Sequence, residues 1–301
     1  YQNNTIKKHE FTRVEKEIDR INHFDICDAD TEPVFLTYRD DKRIRSIMEG
    51  YVANHEPEYD ITSEDGIQHT LWVVDDPELV QSLTGLFDEI PALYIADGHH
   101  RSASACKVGL KRREEHPDYT GDEEFNFFMA VIFPDNDLKI FDYNRVVKDL
   151  NGNSKEEFLA KIQEAGFEVE EKGSDIYYPE GKHIFAMFLD GKWYKLTAKD
   201  SIIPDHVTES LDVAVLQNSL LHPILGIEDP RTDKRIDFVG GIRGLEELEK
   251  RVNDDMEVAF AVYPVDVEDL LRVADNNMVM PPKSTWFEPK LGSGLFLHSL
   301  K

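Results

Sequence analysis

The stretch ALYIADGHHRS, residues 92–102, constrains the fold most. An apolar strand signal over 92–96 runs into Asp97-Gly98, and a helical pattern follows at once and continues from 102 to 115. A strand that hands over to a helix through glycine belongs to α/β architectures. The rest of the chain repeats the alternation. Thr12 with Glu15 reads as a capping box opening a helix to about His23. Residues 33–38 and 68–74 read as strands, and 41–54 as a helix. Another helix starts at Asp76-Pro77. Residues 127–133 and 139–147 look like a strand pair around Pro134-Asp135-Asn136-Asp137. Ser154 with Glu157 caps a further helix, and 183–189 with 192–196 is a hairpin turning at Asp190-Gly191. Residues 211–221, 244–253 and 267–274 read as helices, and 258–263 as a buried strand. The class is mixed α/β. The polar stretch 116–124 is the boundary candidate, dividing the chain into residues 1–120 and a second α/β domain, residues 121–301.

Charge and cysteine usage exclude several functions. Asp plus Glu number 60 against 34 Lys plus Arg, a net charge of −26. A surface that grips a nucleic-acid backbone needs the opposite balance, so no nucleic-acid partner is expected. A small anion needs only a local basic pocket. The strongest apolar run, 127–133, is far short of the roughly 20 residues that span a bilayer, so no membrane association is expected. Cys27 and Cys106 are too few for a cysteine-ligated zinc site or a disulfide framework. A cytoplasmic protein with reduced thiols is expected.

The 97–102 loop has the chemistry of a phosphate cradle. The first turn of the helix offers unpaired N–H groups and a positive dipole end. Gly98 admits close approach to the backbone, Arg101 supplies a planar charged fork, and Ser102 adds a hydroxyl. Two other readings stand beside this one. Asp97 capping an ordinary strand–Gly–helix turn is the first. His99 and His100 as metal ligands is the second, although adjacent helical side chains do not face each other.

Three further segments concentrate function-bearing residues. Lys7-Lys8-His9-Glu10 is basic in an acidic chain, and Glu10 is a carboxylate available as base or Mg²⁺ ligand. Arg13, Glu17 and Arg20 follow on one helical face, where solvated ion pairs are the competing reading. Arg231, Lys234 and Arg235 crowd one loop, either as an anion site or as partners of neighbouring acids. The rigid Pro-rich segment 280–290 carries Lys283 and Trp286. It reads as a pocket wall returning to His99, or as a strap over the core.

The segments IKKHEFTRVEKEIDR, YIADGHHRSASA, YNRVVKDLNG, LGIEDPRTDKRIDFVGGIRGLEELE and MPPKSTWFEPKLGSGLF resemble, in that order, the bacterial domain of unknown function 1015 family. The resemblance spans residues 6–296. It implies a segment upstream of Tyr1, so the chain is expected to be truncated there. Gly292 stands where the family usually has a basic residue. The Asp-Gly-His-His-Arg loop is also similar to the ParB/sulfiredoxin superfamily, which includes free-serine kinases. That similarity implies a ParB/sulfiredoxin-like nucleotide-binding core. In it Gly98, His99, His100, Arg101 and Ser102 take the phosphates of ATP or ADP. Asp97, Glu10 and His99 are catalytic, with Asp97 and Glu10 also serving Mg²⁺. Arg231, Lys234, Arg235 and Lys283 are expected to hold substrate.

The function these readings lead to is phosphoryl transfer from a nucleotide to a small hydroxyl metabolite, serine first. The alternatives are a nucleotide-binding regulatory switch, a hydrolase of a phosphorylated metabolite using the same loop, a metal hydrolase, and a scaffold. A homodimer is the assembly kept open.

Overall fold

The computed structural model describes residues 1–301 except Asp65 and Ser293. Ser293 belongs to the KLGSGL segment and so lies outside the described residues. In chain order the first elements are β1 (Ile6–Lys7), α1 (Val14–Cys27), β2 (Ala29–Asp30), β3 (Val34–Tyr38), α2 (Lys42–Asn54), β4 (Tyr59–Thr62), β5 (Gln68–Leu71), α3 (Pro77–Asp88), β6 (Leu93–Asp97), α4 (His99–Glu115) and β7 (Ala130–Pro134). They continue as β8 (Lys139–Phe141), β9 (Tyr143–Val147), α5 (Lys155–Glu164), β10 (Phe167–Gly173), β11 (Ile184–Leu189), β12 (Lys192–Ala198) and α6 (Asp212–Leu216). The last are β13 (Ile236–Gly240), α7 (Glu246–Asp254), β14 (Val258–Ala261), α8 (Val267–Asp275), β15 (Trp286–Glu288) and β16 (His298–Ser299). The protein is a mixed α/β fold.

Two sheets organise these elements. The first is four-stranded in the order β1-β6-β3-β7. Its central strand β3 is buried along its whole length, as an uninterrupted Val-Phe-Leu-Thr-Tyr run demands. The second has six strands in the order β10-β12-β11-β14-β9-β13, all antiparallel. One hydrophobic cluster joins the two, running from Phe35, Tyr94 and Ala96 of the first sheet through Ile140 and Phe287 to Phe185 and Phe260 of the second. Because β7 pairs with β3, the first sheet extends past residue 120 into the segment assigned above to the second domain. No helix among the described residues is long and apolar enough to cross a membrane.

Local chemistry explains most boundaries. Asp41 and Asp76 accept N–H bonds at the starts of α2 and α3, and Pro77 opens α3. Ser154 and Glu157 form the full capping box of α5. Asp190 and Gly191 both take positive φ, as a two-residue hairpin requires.

Three local expectations fail. Thr12 and Glu15 form no capping box, because α1 starts at Val14 and the Thr12 hydroxyl turns to Glu17. Tertiary anchoring replaces the cap, since the Arg13 N–H donates to His100 Nε2 at 3.0 Å. The helix after Gly98 does begin at once, at His99. The chain past residue 216 widens into π-helical turns through Leu221. The pair expected around Pro134 does not form. A 3₁₀ turn over Asp135–Asp137 redirects the chain, β8 pairs with β15, and β9 pairs with β13 and β14.

Candidate functional site

The site begins where β6 ends. Gly98 lies at φ +94°, the left-handed region, and this turns the chain from strand to helix within one residue. A Cβ here would stand 3.0–3.2 Å from the guanidinium of Arg101, which folds back over the turn. Asp97 accepts from the Gly98 N–H at 2.7 Å through one oxygen and from Lys290 Nζ at 3.0 Å through the other. Arg101 donates to Glu32 at 2.9 Å, while its Nε is buried with no partner. Ser102 sits one turn after His99 on the inward face of α4 and is fully buried. Ser102, expected to contact phosphate, lines neither cavity described below.

The two histidines diverge, and each is committed. His99 is 4% exposed, and its Nε2 accepts from the His9 N–H at 3.4 Å. That leaves the proton on Nδ1, which faces a Glu10 carboxylate oxygen at 3.7 Å. His100 Nε2 accepts from Arg13 instead. This divergence removes the reading of the pair as joint metal ligands. Among the described residues no group of three or more His, Cys, Asp or Glu side chains is placed to hold a metal ion.

Burial sets the charge states. It lowers the pKa of His9 to about 4 and pushes His99 well below the ordinary range, with His9, His100 and Lys8 adding to the effect on His99. Both rings are neutral at pH 7 and meet edge to face at 4.4 Å. Desolvation raises the Glu10 pKa, Lys283 opposes the rise, and Asp97 adds to it.

Two cavities share one wall. The first, about 310 Å³, is lined by His9, Tyr143, Lys283, Trp286 and Lys290 together with Glu10, Asp97 and His99. The second, about 340 Å³, is lined by Arg13, Lys16, Arg20 and the Gly98–Arg101 turn together with the same Glu10, Asp97 and His99. The second holds the start of α4, and Asp19 lines it too, pairing with Arg20 at 2.7 Å, so Arg13, Lys16, Arg20 and Arg101 outnumber its three carboxylates by one. The first carries two lysines, a tyrosine and a tryptophan facing two carboxylates.

The C-terminal strap builds the first cavity. The Met280 N–H donates to the His9 carbonyl at 2.8 Å, and Arg145 holds the Lys283 carbonyl at 3.0 Å. Lys283 Nζ reaches the Tyr143 hydroxyl at 3.3 Å. Trp286 packs on Gly240 so tightly that a Cβ there would fall 2.6 Å from the ring. Lys283 and Trp286 thus line one cavity with His99.

Arg231, Lys234 and Arg235, expected to hold substrate, line neither cavity. Residue 240 of β13 pairs with Tyr143 at the cavity, while Ile236 pairs with Val147. The loop before Ile236 is therefore displaced by four strand residues, about 13 Å. Arg231 pairs with Asp229, and Arg235 binds Asp233 and the Leu225 and Gly226 carbonyls. The sequence reading missed His9, Tyr143 and Lys290 as lining residues, and left Lys16 out of the basic face. Tyr143 and Lys290 fall inside motifs already singled out, and His9 adjoins Glu10.

The family described as "Protein of unknown function (DUF1015)" matches residues 1–214. The chain belongs to the DUF1015 family. No curated protein matches it. Similar solved structures include a mutant free serine kinase in complex with ADP, at TM-score 0.45 and 15% identity over 94% of this chain and 84% of that one. SbnI with C-terminal truncation from Staphylococcus aureus is similar at TM-score 0.47 and 10% identity, over 97% and 82%. A conserved hypothetical protein from Pyrococcus furiosus is similar at 0.43 and 15%, over 96% and 90%. At these values the chemistry of this DUF1015 chain rests on its own residues.

Proposed function

We propose that the chain is a nucleotide-dependent phosphotransferase acting on a small hydroxyl metabolite, with serine the first candidate. The observation that carries this reading is the wall of Glu10, Asp97 and His99 common to a basic cavity and a second polar one. Phosphoryl transfer is mostly positioning and charge stabilisation, so it needs a donor site and an acceptor site meeting at a base.

The donor phosphates lie against the first turn of α4, where backbone N–H groups, Arg101, Arg13, Lys16 and Arg20 neutralise them. The acceptor lies among Lys283, Tyr143 and Trp286. Glu10 takes the proton from the acceptor hydroxyl as its oxygen bonds to the terminal phosphorus. The bond from that phosphorus to the leaving phosphate oxygen breaks, and a nucleotide shortened by one phosphate departs. Desolvation already raises the Glu10 pKa, which makes it a stronger base than a fully solvated carboxylate. The neutral His99 stands beside it, Nδ1 facing its carboxylate at 3.7 Å. Asp97 and Glu10 offer the hard oxygen donors that Mg²⁺ takes alongside phosphates. The ion would supply charge neutralisation there, with Lys290 released from Asp97.

Arg101→Ala tests the reading. Wild type is expected to melt higher with one of a panel of Mg²⁺ nucleotides, and the mutant to lose that shift while remaining folded. A mutant that keeps the full shift would sink the assignment.

A further inference from the structure

An apolar groove of about 630 Å³ opens beside the site and has no part in the reading above. Its walls include Pro33, Ile61, Leu71, Phe133, Pro289 and Phe296, and His69 and Glu288 add polar edges. The β4–β5 hairpin forms one side. Its cross-strand pairs Tyr59–Leu71 and Ile61–His69 occupy alternate positions, so they share a face, and all four residues line the groove. The hairpin does not close onto the core there, since Tyr59 stays 59% exposed and Ile61 46%.

The groove shares one lining residue with the site and neighbours it at two further places. Lys290 lines both the groove and the first cavity, and its Nζ reaches Asp97. Pro33 directly follows Glu32, which holds Arg101. The Phe133 ring lies 5.2 Å from Phe35, which lies 6.4 Å from Phe287 in the first cavity.

We infer that this groove receives the base and ribose of the nucleotide whose phosphates lie at the Gly98–Arg101 turn, an inference that rests on the proposed function. The volume falls within the range of ligand pockets, and apolar walls with a few polar edges are what a flat heteroaromatic ring selects. Lys290, whose Nζ reaches Asp97 on the wall of the phosphate cavity, then stands beside the base, and the hairpin forms the outer side of the groove. Stacking against such walls is sequence-tolerant, because every base has a π-face.

The test is calorimetric titration of the full chain with ADP, GDP and UDP, and with inorganic pyrophosphate as the base-free probe. Ile61→Glu and Phe296→Ala are surface-accessible changes, and circular dichroism melts check their folding. Both are expected to weaken the preferred nucleotide by about tenfold or more while leaving pyrophosphate affinity unchanged. Arg101→Ala is expected to weaken both probes. Nucleotide affinity unchanged in both groove variants overturns the inference and gives the groove another occupant. So does a wild-type chain that binds pyrophosphate as tightly as any nucleotide. A wild-type chain that binds neither overturns the phosphotransferase reading itself.

Discussion

Gly98→Ala puts the strand-to-helix turn to the sharpest test, because its effect is built from two separate geometric facts. The residue sits at φ +94° and ψ 31°. An L-residue in the left-handed region pays about 1–2 kcal/mol. The new Cβ would also stand 3.0–3.2 Å from the Nη2, Nε and Cζ atoms of Arg101. Those atoms end a flexible side chain, so they yield, and yielding breaks the ion pair with Glu32. That pair is partly exposed, with side chains 23% and 33% accessible, and after screening is worth under about 1 kcal/mol. The sum is a loss of about 1–3 kcal/mol. At about 2–4 °C per kcal/mol for domains of 150–250 residues, the midpoint should fall by about 2–12 °C. Scanning calorimetry reads this directly. Gly85→Ala is the control, because Gly85 is exposed inside α3 with no heavy atom within 4 Å of an added Cβ. It should gain about 0.5–1 kcal/mol. A Gly98→Ala midpoint equal to wild type would refute the strain argument and the folded-back Arg101 with it.

Glu10→Gln should lower phosphoryl transfer by about 10²–10⁴ while nucleotide affinity holds, which single-turnover kinetics beside calorimetry would separate. Acid should weaken the fold through His9. Its folded pKa of about 4 lies below the ordinary 6.5, so the unfolded chain binds more protons between those values. The stability from this residue is complete above pH 6.5 and is lost as pH falls toward 4, by up to about 3 kcal/mol. Urea unfolding from pH 7 to 4 should show a shallower decline in His9→Gln. Asp212 has the opposite sign. Burial raises its pKa to about 7, and its Oδ2 is enclosed without a partner. The folded chain holds the extra proton between 3.8 and 7, so stability from this group is lost as pH rises through that window. Asp212→Asn should therefore raise the melting temperature at pH 8, because the amide oxygen can still accept from the His183 N–H at 2.9 Å.

What could be read from the chain tracks how local the cause is. The Asp190-Gly191 hairpin, the Ser154–Glu157 cap and the Asp76-Pro77 helix start are each decided within four residues, and each is present. The strand at 130–134 is recognisable as a strand, but its partner β3 lies about a hundred residues earlier, and no local signal names that partner. The cap at Thr12 fails for a related reason, since a histidine 87 positions away supplies the anchor. The same division runs through the site. Gly98 and Arg101 carry their chemistry in one turn of chain. Lys290 and Tyr143 acquire theirs only when the strap is laid across β9. Arg231 and Arg235 are taken up by Asp229 and Asp233, each two residues away, so the pairing with neighbouring acids was legible in the sequence.

Glu10 and Lys283, which face the same cavity, are made far apart in time. A ribosome adding 5–20 residues per second separates them by roughly 15–55 s. During that interval the emerging polypeptide holds the Gly98 turn but lacks the Pro-rich wall. A nascent chain short of residue 280 therefore lacks the wall that closes the first cavity.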